Sequence, residues 1–171
     1  MLAVVCDSSP LIYLSKLEHF RLLRVLYDAV LVPPAVWREV AIGGEGFAES
    51  ANLKAAVTEG WIRIECPTEA EEAAEFPEEL GLGEIEAILL ARERKAVLVT
   101  DDALGRSVAE SLGVEVTGTI GVLIGAKRQG QLSAVKPLID RLKQQTNFRM
   151  SNALYQRALQ IAGEAGPEGS R

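Results

Sequence analysis

Five acidic residues stand where a chain could gather them for chemistry on a phosphorylated substrate. Asp7 follows the apolar run 2–6, and Asp101 with Asp102 follow the valine-rich run 96–100. Glu39 lies about one turn into the segment opened by Pro33-Pro34, and Glu84 follows Gly81-Leu82-Gly83 at the head of an apolar segment. Carboxylates that converge repel each other unless something positive sits between them. A hard divalent cation, Mg²⁺ or Mn²⁺, suits an all-oxygen donor set. Such an ion can activate water and neutralise a phosphoryl oxygen in an in-line displacement. Each acid also has a purely structural use. Asp7 and the Asp101-Asp102 pair can cap the helices that follow them, Glu84 can complement a helix N-terminus, and Glu39 can be a solvated helix acid. Their shared address at the carboxyl ends of strands is what points to a site.

That address depends on the elements around them. Residues 2–6 read as a buried strand running into Asp7-Ser8-Ser9-Pro10, a capping residue followed by proline in the first helical turn. Helices are predicted through Leu11, Leu14 and Leu17 and over 20–27, then a strand over 29–32 stopped by Pro33-Pro34. A helix carrying Val36, Trp37, Glu39 and Val40 follows, then one over 47–58 ended by Gly60, then a strand over 61–65. The acidic stretch 68–79 reads as a loop with a short helix, interrupted by Pro77. Gly83 is read as opening a helix that runs to Lys95. A strand over 96–100, a helix over 103–112, a strand over 114–117 and three further helices complete the pattern. Gly118, Gly121 and Gly125 read as small residues that permit close helix packing. Strands alternating with helices imply right-handed crossovers and a mainly parallel sheet covered on both faces. In such sheets ligands bind at the carboxyl ends of the strands.

Composition narrows the class. The 171 residues are 48% hydrophobic and 25% charged, the balance of a folded globular chain and not of a disordered one. No apolar run approaches the ~20 residues of a membrane span, and the N-terminus lacks the basic start of a signal peptide. Cys6 and Cys66 form neither a disulfide framework nor a zinc spacing, which points to a reduced, cytoplasmic setting. One domain over residues 1–162 is expected, with 163–171 as a disordered tail. The net charge of −6 argues against a general nucleic-acid coat, but it is unevenly placed. Residues 45–86 hold twelve Glu against Lys54 and Arg63, a local −10, so the remainder sums to +4. Arg106, Lys127 and Arg128 are the candidates for phosphate contact among the basic residues. His19 reads as a surface residue, Cys6 as a buried apolar-like one, and Trp37 and Trp61 as core or dimer contacts.

Together the segments VVCDSSPLIYLSKL, LVPPAVWREV, LGLGEIEAILLA, VLVTDDALGRSVAESLGVEVTGTIGVLIGAKRQG and NFRMSNALYQRAL resemble the PIN-domain family, in its branch of small prokaryotic members. The resemblance covers nearly the whole chain. It implies a three-layer α/β/α sandwich around a parallel sheet of about five strands, and metal-dependent endonucleolytic cleavage of RNA. Carried onto this chain, the family's acids fall on Asp7, Glu39, Glu84 and the Asp101-Asp102 pair, with Ser9 and Thr100 in support. Asp7, Glu84, Asp101 and Asp102 would hold Mg²⁺ or Mn²⁺, with Glu39 a further ligand or an orienter of the attacking water. Which of Asp101 and Asp102 points at the metal stays open. Many small members are toxins of toxin–antitoxin pairs and form homodimers, so a small antitoxin protein and a homodimer are expected partners beside RNA. A catalytically weak or inactive PIN-like binding module is the alternative. A receiver domain would need its acidic pair after the first strand, and a haloacid-dehalogenase-like phosphatase a second aspartate at position 9, which is Ser9. Neither G-x-G-x-x-G after the first strand nor a Walker A motif occurs.

Overall fold

The computed structural model describes residues 2–69 and 75–166. It divides into two compact units, Met1–Thr119 and Ile120–Arg171. Residues 70–74, within the predicted acidic loop, and 167–171, within the predicted tail, lie outside the described residues.

The first unit is built on a parallel sheet of five strands in the order β3-β2-β1-β4-β5. These are β1 (Ala3–Cys6), β2 (Ala29–Val32), β3 (Ile62–Ile64), β4 (Val97–Val99) and β5 (Val116–Thr117). The central strands are Val- and Leu-rich and buried, as a sheet covered on both faces requires. The connections are α1 (Ser8–Lys16), α2 (Leu22–Leu26), α3 (Pro34–Trp37), α4 (Ala48–Thr58), α5 (Leu82–Arg94) and α6 (Ala103–Ser111). From β1 the chain steps outward to β2 and β3, then returns past β1 to β4 and β5. Right-handed crossovers in opposite directions lie on opposite faces of a sheet. Accordingly α1 packs with α4, and α5 packs with α6. The result is the three-layer α/β/α fold. On the α5 side the core is Val5, Leu31, Ile88, Leu89, Leu90 and Leu98, all 2% exposed or less.

Several elements depart from the sequence expectation. The second helix is one short piece, Leu22–Leu26, and every strand but β2 is trimmed at one end or both. Helix α5 starts at Leu82, one residue before Gly83, with Gly81 at its N-cap. The segment after α3 widens into a π turn over Arg38–Ile42, in which the Gly43 N–H donates to Arg38 O at 2.8 Å, a five-residue span. Such turns are rare and concentrate at functional places. The Ser50 hydroxyl holds the turn by donating to Ala41 O at 2.6 Å in the interior, and Glu86 of α5 holds the preceding α3 by accepting from the Ala35 N–H at 2.7 Å.

The second unit contains α7 (Thr119–Arg128, apart from its first residue), α8 (Lys136–Gln145) and α9 (Asn152–Ile161). Helix α8 has no local side-chain cap. Glu164 supplies one from the predicted tail, accepting from the Val135 and Lys136 N–H groups at 2.6 and 2.9 Å and from Lys127 Nζ at 2.7 Å. The N–H groups of Gly163 and Glu164 donate to Gln160 O and Leu159 O at 3.0 and 2.8 Å. Tyr155 of α9 donates to Asp140 at 2.6 Å, while Lys143 Nζ lies 4.4 Å from its ring centre. Gly125 faces open space: a Cβ there would meet nothing within 4 Å, so it does not make the close packing read from its motif.

The π turn makes a demand on sequence. A Cβ on Gly44 would come within 2.5 Å of Val40 O, closer than carbon and oxygen approach without a shift. Gly44→Ala is expected to lower stability by ~1–3 kcal/mol, as overpacked sites do. Urea unfolding checks this, and an unchanged midpoint would mean the turn relaxes freely.

Candidate active site

At the carboxyl end of β1 the chain turns sharply into α1. Asp7 caps that helix: its Oδ1 accepts from the Ser8 N–H at 2.8 Å. Its Oδ2 accepts from the Thr100 hydroxyl at 2.9 Å, at the end of the neighbouring strand β4. The Asp7 N–H extends the sheet by donating to Val99 O at 3.0 Å. Asp7 is 3% exposed, so it is a buried carboxyl with two fixed partners.

The other acids arrive on separate elements. Asp102 caps α6, its Oδ2 accepting from the Gly105 N–H at 2.6 Å, while its own N–H donates to Thr100 Oγ1 at 3.2 Å. Glu84 reaches back to the Gly81 N–H at 2.7 Å and so closes the N-terminus of α5. Glu39, on the π turn, accepts from the Ser8 hydroxyl at 2.7 Å. Asp7, Ser8, Ser9, Glu39, Gly81, Leu82, Gly83 and Glu84 line a cleft of about 180 Å³. The structural uses foreseen for Asp7, Asp102 and Glu84 are therefore real, and Asp7 and Glu84 share this cleft with Glu39.

Electrostatics show which acids face each other. Burial pushes Asp7 up to about 6 against the pull of the Ser8 and Thr100 hydrogen bonds, and the negative charges of Glu84 and Glu39 add to the rise. Glu84 is also raised, first by burial, then by Asp102 and Glu39, with the Gly81 N–H opposing. Asp7, Glu39, Glu84 and Asp102 thus form one coupled set. Asp101 is raised by burial too, but its neighbours differ: Thr119 donates to it from both N–H (2.8 Å) and hydroxyl (2.6 Å), and Arg106 lowers it.

Among the described residues, no lysine or arginine pairs with these acids within ion-pair range. Nor do three or more His, Cys, Asp or Glu side chains stand close enough together to hold a metal ion as arranged. The donor chemistry fits a hard divalent cation all the same: oxygen donors only, mutually repelling, and without a protein counter-charge. Asp7, Glu39, Glu84 and Asp102 are the residues that would hold it.

Of the remaining candidates, Ser9 lines the cleft and Thr100 orients Asp7. Arg106 lies beside Asp101. Lys127 and Arg128 belong to the second unit, where Lys127 is engaged by Glu164 and Arg128 is exposed. Sequence reasoning missed Ser8 as the partner of Glu39 and Thr119 as the partner of Asp101. The first had a signal in the Ser8-Ser9 doublet; the second had none, since it depends on β4 lying beside β5. His19 Nδ1 sits 2.6 Å from Leu17 O at a helix end, Cys6 is buried, and Trp61 packs edge-on to Phe20 at 5.6 Å.

The displaced proton affinity of Asp7 has a measurable sign. Its folded value lies above its ordinary 3.8, so between about pH 4 and 6 the folded state holds a proton that the unfolded state has released. The stability this group contributes is present below that window and is lost as the pH rises through it. Asp7→Asn keeps the shape and removes the charge. In EDTA at pH 7.5 it is expected to melt several degrees above the parent, a gain of at most about 3 kcal/mol. It should also flatten the fall in melting temperature between pH 4 and 6. A variant that melts at or below the parent, with the same pH slope, would overturn this reading of Asp7.

No curated protein matches the sequence. A family model described as PIN domain matches residues 3–164, which is nearly the whole chain. With its parallel sheet of five strands and its acids at the strand ends, this chain belongs to the PIN-domain family.

Proposed function

We propose that the protein is a metal-dependent endoribonuclease that hydrolyses RNA phosphodiester bonds. The observation that carries this reading is the coupled set Asp7, Glu39, Glu84 and Asp102, brought from four elements to one sheet edge with no cation of the described residues paired to it. PIN domains suggest nucleases in general. When bound, Mg²⁺ or Mn²⁺ would supply charge neutralisation on the phosphodiester and a more acidic water.

The chain's own residues supply the rest. Asp7 and Asp102 are short acids locked by hydrogen bonds to the N-termini of α1 and α6, which fixes where negative charge stands. Glu39, held by Ser8, and Glu84, held by Gly81, line the same cleft as Asp7 and can accept a proton from an attacking water. Thr100 donates to Asp7 and accepts from the Asp102 N–H, so one hydroxyl sets the spacing of two acids. Arg106 is a candidate contact for a substrate phosphate.

A toxin role with a small antitoxin partner, and a homodimer, rest on the family likeness alone. A cytoplasmic location rests on the cysteine usage. No helix among the described residues is long and apolar enough to cross a membrane. One observation favours the second reading, a nucleic-acid-binding module that cleaves slowly or not at all: no three ligating side chains are gathered in advance among the described residues.

Incubating a pool of structured RNAs with the protein and Mn²⁺, Mg²⁺ or EDTA separates the readings. Cleavage is expected with either metal and not with EDTA, and Asp7→Asn and Glu84→Gln should each lower the rate by ~10²-fold or more. Cutting that persists in EDTA would sink the metal-dependent reading. A wild-type protein that binds Mn²⁺ but cuts nothing would establish the binding module instead.

A further inference from the structure

Asp101 and Asp102 are adjacent in sequence yet serve different surroundings. The backbone at Asp102 is extended (φ −76°, ψ 126°), and successive side chains on extended backbone point to opposite sides. The Asp102 charge is felt at Glu84, which lines the acid cleft. Both Asp101 oxygens are taken by Thr119, Oδ1 by its N–H and Oδ2 by its hydroxyl.

Beside this clamp lies a notch. Gly118 is buried, and a Cβ there would fall 2.8 Å from Asp101 Oδ1, 3.2 Å from Thr100 O and 3.3 Å from Arg106 Nη2. Those distances place carboxylate and guanidinium on either side of one missing side chain. Arg106 is a first-turn residue of α6, its N–H donating to Asp102 O at 3.0 Å. Its ion pair with Glu110 spans 4.0 Å and its side chain is 41% exposed. The guanidinium therefore leans toward Asp101 and keeps most of its five donors available.

We propose that Asp101 is a positioning residue outside the acid cleft: clamped by Thr119, it holds Arg106 across the Gly118 notch, so that the guanidinium stands at the carboxyl edge of β4 as a contact for the RNA backbone phosphate. The proposal rests on the nuclease reading for the nature of the ligand, and it divides the aspartate pair. Asp102 belongs with the cleft, and Asp101 belongs with Arg106. It also gives Gly118 and Thr119 a purpose beyond helix packing.

The test is a double-mutant cycle on RNA affinity, read by fluorescence anisotropy of a fluorescein-labelled single-stranded RNA in EDTA, where cleavage cannot intervene. Arg106→Gln is expected to weaken binding roughly 5–10-fold and to reduce the salt slope by about one, as loss of a single phosphate contact does. Asp101→Asn should weaken it by a similar factor. The double variant should be no weaker than either single one, because residues that act through one another are not additive. Gly118→Ala reaches the same device by another route and should match Asp101→Asn, while Thr119→Ser, which keeps the hydroxyl, should retain wild-type affinity where Thr119→Val does not. Mn²⁺ calorimetry on the same proteins should find affinity near wild type in Asp101→Asn and lost in Asp102→Asn.

Independent, multiplying effects of the Asp101 and Arg106 changes would overturn the proposal, as would loss of Mn²⁺ binding in Asp101→Asn. Metal-dependent cleavage together with a multiplying cycle would leave the nuclease reading standing and remove this one. A non-additive cycle in a protein that never cuts would do the reverse. Wild-type protein that binds no RNA at all overturns both.

Discussion

Parallel pairing of β1 with β4 aligns Cys6 with Val99, and that register decides where every acid at the carboxyl edge can reach. It lets Thr100 donate to Asp7 across 93 positions of sequence. A slip of one residue would turn the side chains of β1 to the opposite face and break that bond. Burial prevents the slip: Val4, Val5, Cys6, Leu98 and Val99 are 1% exposed or less, so neither strand has a polar face to trade. The chain order adds a second consequence. Crossovers leave the neighbourhood of β1 on opposite faces, and a crevice remains where they part. Asp7 and Asp102 follow the two neighbouring strands, β1 and β4, at which the crossovers part.

Charge at this edge is a compromise between opposed effects. Three of the four coupled acids satisfy backbone donors at helix N-termini, Asp7 on α1, Asp102 on α6 and Glu84 on α5. A helix N-terminus favours a negative group by about 0.3–1 kcal/mol, more when partly buried. At Asp7 this is outweighed, since burial with the two glutamates leaves its proton affinity raised to about 6. The fold thus concentrates charge that it does not itself neutralise. Such a place is stabilised by whatever positive group arrives, and its own stability gains when protons return. Asp101 shows the contrast: with two donors from Thr119 and a guanidinium nearby, it is supplied locally with what the cleft lacks.

What could be read from the sequence was local. Asp7 as a cap before Pro10, the valine-rich strands and the acids at their ends follow from residue types and their neighbours, and the structure places them so. The rule about strand ends pointed to Asp7, Asp101 and Asp102, whereas the approach of Glu39 and Glu84 depends on how α3, the π turn and α5 pack together. What escaped depends on contacts made through space. The π turn over Arg38–Ile42 is held by Ser50 and by Gly43-Gly44 closing against carbonyls, and no local propensity announces it. Ser8, not Ser9, meets Glu39, a choice made by the direction in which α1 leaves the sheet. Glu164 looked like part of a polar tail because its partners, Lys127 and the start of α8, lie 28 to 37 residues earlier. The same ion pair removes Lys127 from the set of free cations that charge counting suggested.

The four acids differ in how firmly they are held, and the difference follows from side-chain length. Asp7 and Asp102 have two rotatable bonds each; Asp7 is tied to the Ser8 N–H and the Thr100 hydroxyl, and Asp102 to the Gly105 N–H one turn on. Glu39 and Glu84 have one more rotatable bond each and are tied by a single hydrogen bond, to the Ser8 hydroxyl and the Gly81 N–H. Releasing either glutamate costs about 1 kcal/mol of hydrogen bonding plus some rotamer freedom. That is small beside the repulsion a bound cation would relieve. On the proposed reading, Glu39 and Glu84 are the side chains with a spare rotatable bond to turn toward a cation. The sheet sets the places of Asp7 and Asp102 through the β1–β4 register, while the π turn and the head of α5 carry Glu39 and Glu84.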